Sequence, residues 1–180
     1  MLIKLSSIIL LFFSFLFSGY NENDETHPGW RIVNKMESEV IKLVKNKYGL
    51  QACGTGGRGG EQIAASYIAF QVHKRLSKEE ARSLIIGISD IFLAKLQEKE
   101  DLKPYAKNYP FNIKNIEISI YISDSKNGTL FHPDICVVNI RDGIVQYTTK
   151  DPENKFRHKS DEEETYEEAV AILKSQQNPQ

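Results

Sequence analysis

Four isoleucines, Ile116, Ile118, Ile120 and Ile122, alternate with Glu117, Ser119 and Tyr121. Period-two alternation of this kind places all four on one face of a β-strand. A face made only of branched aliphatic side chains is stable only when something apolar covers it. The chain supplies two covers. Trp30, Val33, Met36, Val40, Ile41, Val44 and Tyr48 recur at three- and four-residue spacing, as do Ala81, Leu84, Ile85, Ile88, Phe92 and Leu96. Each set is one stripe of an amphipathic helix. Gly49-Leu50 supplies a left-handed cap for the first, with Lys45 and Lys47 near its C-terminal dipole. Ser77 and Glu80 form a capping box for the second, which is predicted to run to about Glu98.

The remaining strands follow from alternation and turn chemistry. Residues 63–74 read as a strand in which Ile68, Phe70 and Val72 alternate with Tyr67, Ala69 and Gln71. Residues 135–141 and 144–150 flank Asp142-Gly143, the signature of a type I′ hairpin. Pro104 and Pro110 forbid a long helix over residues 99–114. A last helix uses Tyr166, Ala169, Val170 and Leu173, with Asp161 to Glu164 read as its solvated acidic start. The expected order is α-β-α-β-β-β-α. This is an α+β, two-layer sandwich of about four mainly antiparallel strands with two or three helices on one face. Any parallel pair would lie across the crossover through the second helix. At 180 residues the chain holds one domain, expected over 30–175, after a linker at 20–29 and before a flexible tail at 176–180.

Residues 1–19 stand apart. Thirteen of them are hydrophobic, Lys4 is their sole charge, and the apolar run from Leu5 to Phe17 is of signal-peptide length. Export to the periplasm, the envelope or the medium is the preferred reading. The alternatives are an anchor retained in the inner membrane over residues 2–19 and a buried first helix of a cytosolic protein. A net charge of −1 removes the electrostatic footprint of a nucleic-acid binder. The two cysteines, Cys53 and Cys136, either pair in an oxidising compartment or remain free thiols.

The segment from Cys53 to Glu61 holds five glycines, Gly54, Gly56, Gly57, Gly59 and Gly60, around Arg58. Bare backbone amides beside a guanidinium suit a ligand or partner loop, and an anion nest is conceivable. The context differs from phosphate-binding motifs, because a helix precedes this segment and a strand follows it. The plainer reading is a flexible connector. Cys53 is the candidate nucleophile of an enzyme, although no local motif fixes His27, His73, His132 or His158 beside it. His132-Pro133-Asp134 is the closest pairing of metal-ligand types and lacks the spacing of a metal motif, so neither a metal nor a cofactor is expected. Tyr105, Tyr109 and Phe111 either form a partner patch or fold back to plug the open end of the sheet.

Three segments together resemble a family of small, uncharacterised, exported, lipoprotein-like proteins of chlamydia-like intracellular bacteria. They are Leu76-Ser77-Lys78-Glu79-Glu80-Ala81-Arg82, Asn108-Tyr109-Pro110-Phe111 through Asn115-Ile116-Glu117-Ile118, and Glu164-Thr165-Tyr166-Glu167-Glu168-Ala169. The glycine-rich segment before a strand fits the same pattern, and the likeness spans about residues 30–175. It implies export and carries no activity, so it assigns no catalytic residue. Tyr20 stands where a lipidated cysteine would follow Ser18-Gly19. The expectation is therefore an exported protein with a binding or structural role, its partner an envelope or host protein. The alternative is an enzyme that uses Cys53 or residues 54–60.

Overall fold

The structure is a computed structural model that describes residues 27–125 and 128–177. The expected leader at 1–19 and Tyr20 lie outside the described residues. Helix α1 (Pro28–Tyr48) begins two residues ahead of the expected domain start, with proline in its first turn. Val33, Met36, Val40 and Val44 are fully buried along it. Gly49 ends the helix at φ 71°, donating its N–H to the Lys45 carbonyl. Then follow β1 (Gln51–Gly59), β2 (Ile63–Val72), α2 (Lys78–Gln97), β3 (Ile116–Ile122), β4 (Ile135–Arg141), β5 (Ile144–Lys150), β6 (His158–Thr165) and α3 (Tyr166–Gln177). The capping box of α2 forms as the sequence predicts: the Glu80 N–H donates to Ser77 Oγ, and the Ser77 N–H donates to Glu80 Oε2.

The class is α+β, but the sheet has six strands rather than about four. Its spatial order is the sequence order, β1 to β6. Every neighbouring pair is antiparallel except β2 and β3, which run parallel across α2. Both unforeseen strands sit at the edges. The glycine-rich segment is not a connector: as far as Gly59 it pairs antiparallel with β2, apart from bulges at Cys53 and before Gly59. Glycine has no side chain with which to write an alternation, so a ladder built from backbone alone leaves no periodic trace.

The acidic run is likewise a strand and not a helix start. Glu162 and Glu164 face the helices, where Lys78 and Arg82 of α2 meet them at 2.7 Å each. Two residues of strand and four of helix both advance about 6 Å, so the two ion pairs match rung for rung. Arg82 and Glu164 are nearly buried, and Tyr147 donates its hydroxyl to the same carboxylate.

Lateral register shows that one face carries the core. Thr55, Ile68, Ile118, Ile140, Val145 and Glu164 lie in a row across the six strands. All four alternating isoleucines are buried beneath the helices. Glu37 of α1 accepts a 2.6 Å hydrogen bond from Ser66 on this face. Trp30 lies so close over Gly57 that an added Cβ would strike its ring. Among the described residues no helix covers the opposite face. At the β4–β5 turn Asp142 and Gly143 both take positive φ, 51° and 81°, as a type I′ turn requires.

Candidate functional site

The one parallel pair positions the site. Because Val72 is opposite Ile122, the residues that follow, His73 and Ser123, emerge side by side at the carboxyl ends of β2 and β3. Ser123 donates its N–H to the Val72 carbonyl at 2.9 Å, and its Oγ lies 2.9 Å from His73 Nδ1. Crevices at the carboxyl ends of parallel strands are where sheets of this kind commonly hold ligands. Here the chain leaves β2 for α2 on the helix side, and the gap between the end of α1 and the start of α2 stays open.

That gap is a cleft of about 700 Å³. Tyr48, Leu50, Leu76 and Leu84 form its apolar walls and floor, and Gln51, Gln71, His73, Lys74 and Glu80 form a polar rim. Gly87 places Tyr48 here: any side chain at 87 would strike the phenol oxygen, so glycine lets the ring close down on α2. Glu80 has two duties. One carboxylate oxygen caps α2, and the other lies 3.6 Å from Lys74 Nζ. The backbone N–H of Ser77, followed by Lys74, holds the Glu80 carboxyl below the usual carboxylate range. A second hollow of about 440 Å³ adjoins on the open face of the sheet, sharing Gln71 and His73 and adding Tyr121 and Ser123. An apolar floor beneath a few convergent polar groups suits a molecule with an apolar body and a polar head.

None of the candidate site residues expected from sequence lines this cleft. Cys53 is exposed at the bulge of β1; burial is the largest influence on its thiol and pushes it up, the opposite of an activated nucleophile. Cys136 is buried at a bulge of β4, and both cysteines are free. Gly54, Gly56, Gly57 and Gly59 are strand residues and Gly60 begins the turn to β2. The Arg58 side chain crosses the open face above Ala65, its pairing partner on β2, to Asp142 at 2.6 Å and Glu117 at 3.1 Å. Its fork therefore faces carboxylates, and Asp142 is held low by that contact.

The three aromatic residues divide. Phe111 is buried in the core, and Tyr105 packs over Gly29 and edge-on against His27. Tyr109 remains half exposed, with Lys103 Nζ 4.9 Å from its ring. Asp134 pairs with Arg75, and His132 lies against Thr149.

Sequence reasoning missed the His73–Ser123 pair because fifty residues separate its members. The available signal was the crossover: a parallel β2–α2–β3 unit brings the residues after both strands to one end. Among the described residues no helix is long and apolar enough to cross a membrane. Comparison with protein-family models, curated proteins and solved structures finds no match, so the reading of this site rests on its geometry.

Proposed function

We propose that this chain is a small exported protein, placed in the envelope or secreted, that works by binding, and that the cleft between α1 and α2 is where it binds. One observation carries the reading: a cleft of about 700 Å³ sets a leucine floor beneath His73 and Lys74 at the carboxyl ends of the parallel pair. The ligand class that fits is an amphipathic molecule or segment, its apolar part on Leu50, Leu76 and Leu84. The fluorescent probe 1-anilinonaphthalene-8-sulfonate has that character. The expected result is a saturable one-to-one rise in its emission, removed by Leu84→Glu with the circular dichroism unchanged. Emission that never saturates, or that survives Leu84→Glu, would falsify the assignment of the cleft. Export supports an envelope or host partner and is tested separately, by N-terminal sequencing of the protein from its native cell. A start just after residue 19 supports it, and an intact Met1 in a soluble cytosolic fraction sinks it.

An enzymatic reading finds its support in the 2.9 Å contact between Ser123 Oγ and His73 Nδ1 rather than in Cys53. Among the described residues the side-chain contact of that histidine is with Ser123 through Nδ1, and a catalytic triad further requires a carboxylate on the other nitrogen. Labelling of Ser123 by a fluorophosphonate would favour hydrolysis; an unlabelled Ser123 leaves the binding reading in place.

A further inference from the structure

The sheet has two edges, and they are treated differently. An edge strand presents a row of unpaired backbone groups, and proteins blunt such rows with charge, proline or a covering element. The β6 edge is blunted by charge: Lys159, Asp161, Glu162 and Glu163 stand exposed along it, while Glu164 turns inward to Arg82. Among the described residues the β1 edge has no such protection. Its nine residues include four glycines and no proline, and its one charge, Arg58, is drawn away across β2 to Asp142 and Glu117. The two bulges frame a regular run from Gly54 to Arg58.

We propose that β1 is a homodimer interface, pairing antiparallel with β1 of a second copy to make one continuous twelve-stranded sheet. The occupant follows from charge and from side chains. Pairing β1 with the second copy's β6 would be heterologous and would build a ring or an open filament, whereas β1 with β1 closes on a twofold axis as a dimer. Recognition of a foreign extended peptide takes its specificity from pockets for alternate side chains. Between Gly54 and Gly57 the only side chain is Thr55, so this strand can read little in a foreign peptide. A twofold pair needs no such pockets. With the axis at Gly56, Gly54 lies opposite the second copy's Arg58, and Thr55 opposite its Gly57. No like charges meet directly. The edge is about 30 Å long, so the interface belongs to the small class and a dissociation constant on the order of micromolar is expected.

The register is directly testable, independently of the cleft. In that pairing residue 56 faces itself at cross-strand distance, while the two copies of Cys53 are separated by about 20 Å. The space in front of Gly56 is open, the nearest atom to an added Cβ being 3.9 Å away on Tyr67. In cells expressing the whole chain with Cys53→Ser and Gly56→Cys, diamide takes two electrons and two protons from the facing thiols and joins the copies. The expected cross-linking is at least about tenfold faster than for Glu163→Cys on the opposite edge. Adding Thr55→Lys, which sets two lysines near the axis, is expected to slow it about tenfold with the circular dichroism unchanged. Equal rates at the two edges, no cross-link, or a cross-link to another protein overturns the proposal. In the unaltered chain, amide hydrogen exchange at residues 54–58 is expected to slow as concentration rises from about 1 to about 100 µM. A rate independent of concentration also overturns it.

Discussion

The two edge strands reach the same backbone geometry by opposite means. β6 is held by side chains: Glu162 and Glu164 reach under the helix layer to Lys78, Arg82 and Tyr147, and Thr148 donates to Asp161 from the next strand. β1 is held by its backbone ladder with β2 and by one large ring, Trp30, lying on a residue that must have no side chain. The difference teaches that strand formation at an edge needs no particular residue pattern. It needs a neighbouring strand to pair with and one anchor on the covered face.

If β6 depends on its buried ion pair, breaking that pair should have the largest effect. Glu164→Ala leaves the Arg82 guanidinium buried without its partner, and a loss of about 3–5 kcal/mol in urea unfolding is expected. A loss below about 1 kcal/mol would show that β6 is held by its ladder, as β1 is.

On the β1 side the matching buried acid is Glu37, whose pKa burial raises to about 7, against the opposing influence of the Ser66 hydrogen bond. A carboxyl raised in the folded state binds its proton more tightly there than in the unfolded chain. Its contribution to stability is therefore complete below about pH 4.5 and is lost as pH rises through 7. Glu37→Gln keeps a neutral acceptor for Ser66 at every pH. Above pH 7 it is expected to be more stable than the parent, by about 3 kcal/mol at most. Urea midpoints measured between pH 4 and pH 8 check this, and parallel curves for the two proteins would refute it.

Gly57→Val tests the ring anchor. The new side chain meets Trp30 and the Ala65 carbonyl, and a cost of about 1–3 kcal/mol is expected. A shift in the emission of Trp30, the protein's only tryptophan, should accompany it. The smallest effect belongs to Arg58→Ala. Its pair with Asp142 is exposed, and the largely buried Glu117 keeps Arg141 at 3.5 Å, so a loss under about 1 kcal/mol, smaller still at high salt, is expected. A larger loss would mean that the ladder alone does not hold β1.

Much of the interior was legible before any coordinates. The isoleucine strand, the two helical stripes, the Ser77–Glu80 box and the Asp142-Gly143 turn each carry their own local reason, and each stands where the sequence predicts it. The α+β class follows from them. The edges and the site were not legible, because their reasons are non-local. Glu164 is a strand residue on account of Arg82, eighty-two positions away, and Gly57 is bare on account of Trp30.

By itself, then, the sequence determined which stretches are amphipathic and what must be buried, since hydrophobic periodicity, caps and tight turns act over a few residues. Only the tertiary structure decided the strand count, the partners of Arg58 and the meeting of His73 with Ser123. Those depend on which strands become neighbours and in which register. That pairing is settled by the packing of the whole core, in which a segment's own composition has little say.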